Sequence, residues 1–301
     1  MSAIELFELF PNEQSAHRWF ENLRWPDGQR TCPRCTSGRT KRVKGRKPMP
    51  FWCSDCRSYF SVKVGTIMES SKLPLRKWVV ALYLMNTNLK GVSSMKLHRD
   101  LGVTQKTAWM MAQKIRECWA GDGHPLSGEV EIDETFVGGK EKNRHASKKL
   151  RAGPLAGKTT VMGVKQRNGA VRAEPMAGPD SLSAFRFTRR NVAAGSTLYT
   201  DGTNIYKGMT AYRQESVNHS VGEYVRDQAH TNGIESFWAM LKRGYMGTYH
   251  KMSVKHLHRY VNEFAGRANY RHHDTIVQMS ILALAMVGKR MRWQDLTADP
   301  V

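Results

Sequence analysis

The chain has 301 residues, 40% of them apolar, which suffices for a large core and sets a prior of about two domains. Lys and Arg number 47 against 26 Asp and Glu, a net charge of +21 that points to a polyanionic partner, nucleic acid first and an anionic membrane surface second. Composition argues against a membrane span, because no apolar run exceeds eight residues, Ile281 to Val287 being seven, and a span needs about 20.

The N-terminus, Met1 to Phe10, carries early glutamates and no basic region, so it does not read as a signal peptide. A cytoplasmic location follows, nucleoid-associated when bound to DNA, where thiols stay reduced. Asn12, Trp19, Phe20 and Leu23 predict one helix, ended by Pro26-Asp27-Gly28. Then come Cys32-Pro33-Arg34-Cys35 and Cys53-Ser54-Asp55-Cys56, two C-x2-C pairs separated by 17 residues. Each pair supplies half a tetrahedron of thiolates, which is the spacing of a zinc ribbon. So small a segment lacks a core of its own, and bound Zn2+ would supply its folding energy. The fifth cysteine, Cys118, beside Trp119, reads as a core thiol. Between the knuckles lie Arg39, Lys41, Arg42 and Lys44 with no acid, a basic hairpin suited to phosphate contact.

Three helices are predicted next, over 75–85, from Ser94 as cap to Leu101, and over 105–119 after the turn Gly102-Val103-Thr104, with Thr104 as N-cap. A short helix, a glycine-containing turn and a longer helix make a helix-turn-helix pattern. Gln105, Lys106, Thr107 and Lys114 are then the DNA-facing residues, and Met110, Met111, Ile115 and Trp119 the packing residues. A helical hairpin linking two domains fits the same pattern.

Gly121 to Pro125 reads as a linker. The stretch 128–139 alternates as a strand, placing Asp133 on one face and Glu134 on the other. Residues 140–158 are strongly basic and include Lys148 and Lys149, a loop expected to order on DNA. Strands are predicted over 159–166 and 170–176 around the turn Arg167-Asn168-Gly169, a helix over 181–193, and a strand over 196–200 that ends at Asp201-Gly202. A short helix and a strand over 214–218 follow. After His230-Thr231-Asn232-Gly233, with Asn232 as N-cap, the residues Ile234, Phe237, Trp238 and Leu241 form one apolar stripe, while Glu235 and Lys242 lie two turns apart on a second. Helices over 253–270 and 275–287 complete the chain. The pattern predicts an α/β fold with helices packed on a sheet. The domains expected are an N-terminal helix and zinc ribbon (1–70), a helix-turn-helix region (71–122), an α/β domain (126–290) and a tail (291–301).

Three acids stand out: Asp133 within the first strand of that domain, Asp201 at the C-terminal end of its fourth, and Glu235 early in a late helix. Asp-Gly at a strand end leaves a carboxylate on the rim, where open α/β sheets bind ligands. Convergent carboxylates repel one another unless divalent cations sit between them, and hard oxygen ligands suit Mg2+ or Mn2+. Two such ions can promote an in-line phosphoryl displacement. Taken singly, each acid is equally an ordinary strand-end or helix-surface carboxylate.

The sequence resembles the bacterial insertion-sequence transposases of the DDE superfamily, in the group with an N-terminal zinc ribbon and an ISXO-like catalytic domain. The two cysteine pairs, Ile132-Asp-Glu-Thr-Phe-Val-Gly-Gly139, Tyr199-Thr-Asp-Gly202 and His230-Thr-Asn-Gly-Ile-Glu-Ser-Phe-Trp238 carry the resemblance. It continues through Leu241-Lys-Arg-Gly244, Gly247-Thr-Tyr-His250 and Tyr260-Val-Asn-Glu-Phe264, from about residue 12 to 290. It implies an RNase H-like catalytic domain with Asp133, Asp201 and Glu235 as the triad for magnesium or manganese, and Lys242 as the basic residue that follows. It further implies phosphodiester hydrolysis that releases a 3′-hydroxyl, then strand transfer into target DNA. The partners implied are double-stranded DNA, as element inverted repeats and as target, and further copies of the chain, since two ends must be cut and joined. A structure-specific nuclease and a non-catalytic DNA-binding regulator are the rival readings.

Overall fold

The computed structural model of the chain describes every residue except 122, 140–144, 146, 148–154, 202, 217–229 and 299–301. Its elements in chain order are α1 (Ala3–Leu9), α2 (Glu13–Arg24), β1 (Thr40–Arg42), β2 (Phe51–Cys53), β3 (Ser58–Phe60), α3 (Leu75–Thr87), α4 (Ser94–Leu101), α5 (Gln105–Glu117), β4 (Glu129–Val137), β5 (Thr159–Gln166), β6 (Val171–Met176), α6 (Ser181–Asn191), β7 (Thr197–Thr200), β8 (Arg213–Ser216), α7 (Asn232–Gly244), α8 (Val254–Tyr270), α9 (Thr275–Ala285) and α10 (Trp293–Thr297). They fall into two units, one of Met1–Asn88, Val92–Cys118 and His273–Val301, the other of Leu89–Gly91 and Trp119–His272.

In the first unit, β1, β2 and β3 form an antiparallel ribbon. Its apolar core is small: Trp25 meets Phe51 and Phe60 edge-on, and the last two rings lie 5.4 Å apart. Helix α3 starts after Pro74, which has no capping side chain, so Glu13 of α2 caps it instead. The Glu13 carboxylate accepts the N–H groups of Leu75 at 2.6 Å and Arg76 at 2.9 Å. Between α4 and α5, Gly102 takes the left-handed conformation that closes a helix. The Thr104 hydroxyl then accepts the Thr107 N–H at 3.2 Å. The sequence reading runs the C-terminal domain to residue 290, whereas α9 packs on α2 and α3 in the first unit. Backbone bonds from Ile67 to Met286 and from Gly288 to Gly65, each 2.9 Å, tie its end to the segment after the ribbon.

The second unit is built on a mixed five-stranded sheet of order β6-β5-β4-β7-β8. Strands β4, β5 and β6 run antiparallel in succession, while β7 is parallel to β4 and to β8. The period-two alternation of strands sorts its residues between two cores. Val137, Val161, Val171 and Ala173 pack with Ile234, Trp238, Leu241, Leu257 and Val261 of α7 and α8. Val130, Ile132, Met162 and Val164 pack with Ala184 and Phe187 of α6, and with Tyr206 from a short turn after β7. The predicted strand over 214–218 begins at Arg213, and its last two residues lie outside the described ones. Elsewhere the predicted ends coincide with the observed ones, as both ends of β5 do, or differ by one or two residues, as at the ends of α5 and α6.

Candidate active site and zinc centre

The two cysteine knuckles meet. Cys32 Sγ and Cys56 Sγ lie 3.6 Å apart, as do Cys35 Sγ and Cys53 Sγ, and the four sulfurs all lie within 4.8 Å of one another. Each knuckle is turned by a left-handed residue directly after its second cysteine, Thr36 at φ 59° and Arg57 at φ 50°. Thiolates bound to one zinc ion are about 3.8 Å apart, so the donor set fits zinc. The same knuckles donate backbone N–H groups to sulfur, as Arg34 does to Cys32 at 3.5 Å.

The acidic site forms where α7 lies on the sheet. On β4, Glu131 and Asp133 face α7, and Glu134 faces the opposite side, where Tyr206 donates its hydroxyl to Glu134 at 2.5 Å. The separation of Asp133 from Glu134 thus stands as the alternation predicts. Two contacts seat α7. The Ile234 N–H donates to Glu131 Oε2 at 2.8 Å, and the Trp238 indole N–H donates to Asp133 Oδ2 at 2.9 Å. Glycines make both approaches possible. A Cβ on Gly163, opposite Asp133 on β5, would lie 2.6 Å from the Trp238 ring. One on Gly233 would lie 2.7 Å from Glu131 Oε2.

Glu131 is nearly fully buried and is held in a network. Arg167 Nε lies 3.8 Å from it and His230 Nδ1 3.6 Å. Arg167 also stacks on the Tyr199 ring at 3.8 Å, and the Tyr199 hydroxyl donates to Glu129 at 2.8 Å. Asn232 is the first helical residue rather than the cap. Thr231 occupies the cap position and makes no side-chain capping bond, so Glu131 from a distant strand satisfies the helix end instead. Sequence reasoning passed over Glu131 and assigned Trp238 to the apolar stripe. The available signal was that Glu131 shares a strand face with Asp133.

Strand β7 pairs with β4 in parallel up to Glu131 opposite Tyr199, and beyond it the Asp201 carboxylate is near enough for its charge to act on Asp133. Asp201 follows the last residue of β7, and its carboxylate accepts the Thr203 N–H at 3.1 Å and hydroxyl at 2.9 Å. Burial, then the charges of Glu134 and Asp201, push the Asp133 carboxyl up to about 7, against the pull of the Trp238 bond. Burial raises Glu134 as well, with the Tyr206 bond opposing. Glu235 is exposed on α7, one turn before Trp238 on the same face, and its carboxylate accepts the Thr231 hydroxyl at 2.8 Å. Lys242 is exposed one turn beyond Trp238 on that face. Glu134 and Asp201 are near enough for their charges to act on Asp133, with Glu134 on the opposite face of the strand. Among the described residues the four cysteines are the group of three or more side chains gathered closely enough to hold a metal ion.

Of the predicted DNA contacts, Arg39, Lys41, Arg42 and Lys44 are exposed on the ribbon. Arg39 pairs with Asp55 at 2.9 Å and Arg42 with Glu21 at 3.0 Å. Lys41 stands opposite Trp52, which stands opposite Tyr59, and Arg46 lies over the Tyr59 ring at 4.0 Å. Strand pairing thus gives the basic hairpin an aromatic ladder that was not legible in the sequence. Gln105 donates to the Ser94 hydroxyl at 2.8 Å, and Lys106 sits 4.2 Å from the centre of the Trp293 ring. Lys114 is a correction. It is not DNA-facing but buried, with its Nζ donating to the Ile67 carbonyl at 2.7 Å, and burial lowers its pKa. Lys148 and Lys149 lie outside the described residues.

Residues 125–269 match the model of the ISXO2-like transposase domain, and residues 11–59 that of the transposase zinc-ribbon domain. Over 274 residues the chain is 28% identical to an uncharacterized protein in transposable element ISH50 of Halobacterium salinarum, a match that spans 85% of this chain and 91% of that relative. No helix among the described residues is long and apolar enough to cross a membrane.

Proposed function

The chain belongs to the insertion-sequence transposases that join a zinc ribbon to an ISXO2-like transposase domain, and from that premise we propose that it cuts and joins DNA with Asp133, Asp201 and Glu235. The observation that supports this reading is the parallel pairing of β4 with β7, Glu131 opposite Tyr199, together with the Trp238 bond to Asp133 that brings the helix bearing Glu235 onto β4. A strand order that starts from three antiparallel strands and adds two parallel ones supports an RNase H-like domain. The α4–turn–α5 segment is read as a helix-turn-helix that, with the ribbon, grips the element ends.

Bound magnesium or manganese would supply activation of the attacking hydroxyl and neutralisation of the leaving oxygen. The chain's own residues do the rest. Asp133 and Asp201 offer the carboxylates, and Glu235 is the third. The Trp238 N–H fixes the Asp133 carboxylate, and Glu131 fixes the start of α7 and so the height of Glu235. Lys242, one turn on, holds a phosphate beside the bond to be cut. In the first displacement water attacks the phosphodiester at the element end and expels the 3′-oxygen, leaving a 3′-hydroxyl and a 5′-phosphate, and in the second that 3′-hydroxyl attacks a target phosphodiester and expels the target's 3′-oxygen as a hydroxyl. Two ends need at least two such sites, so the working form is a multimer on DNA.

Incubation with the flanking inverted repeats and Mg2+, followed by mapping of nicks, tests the reading. Asp201→Asn is expected to abolish cleavage below detection while DNA binding survives. Cleavage unchanged by that substitution removes the proposed site. Pre-cut ends that are never joined to target DNA reduce the activity to that of a nuclease.

A further inference from the structure

A cavity of about 570 Å³ opens in the first unit, between the segment after the ribbon, α5 and the residues leading into α10. The chemistry proposed above makes no use of it. Its volume lies within the range of small-molecule sites, about 300–1,000 Å³. The floor is apolar, with Trp78, Met110 and Met291 among its lining. The rim is cationic: Lys72, Lys106 and Arg290 all line it and all are exposed. The acid in the lining, Glu69, accepts the Gly65 N–H at 3.1 Å. Trp293 closes one side. It is 38% exposed, meets Trp109 edge-on at 5.9 Å, and carries the Lys106 ammonium over its face.

An apolar floor, an indole face and a cationic rim together suit a planar ring that carries an anion. We propose that this cavity takes one unpaired nucleotide of DNA, its base against Trp293 and its phosphate on Lys106 and Arg290. The inference rests on the DNA-binding reading above and deepens it. Lys106 and Thr107, in the first turn of α5, line the cavity. That turn is the part of a helix-turn-helix that approaches DNA, so the cavity opens beside the strand the helix would read. A base held in a stacked pair cannot enter, whereas one at a strand end or a break can, at little unstacking cost. Cutting and joining DNA generates such ends.

The test uses the full-length, zinc-loaded protein and one fixed duplex in three forms: blunt, with one unpaired terminal nucleotide, and with that nucleotide made abasic. Binding is read by fluorescence anisotropy. The overhang is expected to tighten binding about tenfold, the scale of one base–aromatic stack, and the abasic form to lose that gain. Trp293→Ala is expected to lose the gain while still binding the blunt duplex. Equal binding of all three forms by the unaltered protein overturns the proposal without touching the DNA-binding reading, and this arm needs no variant to fold. Failure to bind any of the three overturns both. A deoxynucleoside monophosphate that binds more tightly than the overhang duplex, or vesicles of an anionic phospholipid that quench Trp293 where DNA does not, would give the cavity another occupant and overturn it too.

Discussion

The cysteine cluster and the proposed acidic site of this chain are opposites in construction. The cysteine centre is assembled from two short knuckles, its sulfurs already gathered within 4.8 Å. The acidic site proposed above would draw on residues 133, 201 and 235, from a strand, a strand end and a helix, and would take its geometry from the packing of α7 on the sheet. Soft thiolates at a closed site serve folding, and carboxylates left apart serve an open site that must admit a substrate. The contrast predicts that damage to the first is local and structural. Damage to the supports of the second acts at a distance and falls on activity.

Loss of zinc is the largest effect expected. Structural zinc sites supply about 10–16 kcal/mol of apparent binding energy, more than the three-ring ribbon core can replace. Chelation or Cys53→Ser should therefore expose the amides of residues 30–60 to hydrogen exchange while those of β4 and β5 keep their protection. Unchanged protection over 30–60 would remove the zinc reading. Loss of protection in β4 would remove the claim that the damage is local.

Glu131→Ala is the counterpart in the second unit, and it should cost about 3–5 kcal/mol, because Arg167 loses a buried partner and the Ile234 N–H its acceptor. Glu131→Gln keeps an acceptor and should cost about 1–2 kcal/mol. Urea unfolding followed by the fluorescence of the second unit measures both. A Glu131→Ala loss under about 0.5 kcal/mol, the scale of an ordinary surface change, would show that α7 is seated by its apolar face alone.

How much of this was legible in the sequence follows the same divide. The zinc centre was, because its ligands are near neighbours in the chain and spacing alone encodes a tetrahedron. The three acids were picked out one by one, and strand alternation correctly parted Asp133 from Glu134. The supports of the acidic site were not legible. Glu131 meets Ile234 across 103 residues and Asp133 meets Trp238 across 105, and periodicity cannot say which strand a helix will cover. Trp238 looked apolar because every ring atom of an indole but its one nitrogen is carbon. Lys114 looked solvent-facing because its burial depends on a loop and an α10 segment that no local pattern ties to α5.

A smaller disturbance probes the same seat. Gly163→Ala sets a methyl 2.6 Å from the Trp238 ring, so the indole must shift from Asp133. Overpacking of this kind costs about 1–3 kcal/mol. Disturbing a group that orients a metal ligand lowers activity about 10–100-fold. Cleavage should fall more than stability does, with DNA binding intact. A variant that cleaves at the full rate would mean that the Trp238 bond orients nothing of consequence.

The smallest effect separates cysteines within one unit. Cys118 is buried at the end of α5, its thiol donates to the Lys114 carbonyl at 3.4 Å, and burial pushes it up to about 12. A folded pKa above the unfolded one, about 8.5, gives stability that is fully present below that pH. It is lost between there and about 12 as the unfolded chain sheds a proton the folded chain retains. At pH 9 the folded thiolate is then about 10³-fold scarcer than in a free thiol, and alkylation slows accordingly. Iodoacetamide at that pH should modify four cysteines of the chelated protein quickly, and Cys118 only when denaturant opens the unit. Five modifications at one rate would mean that zinc also holds the helices around Cys118, and the ribbon would lose its standing as a self-contained piece.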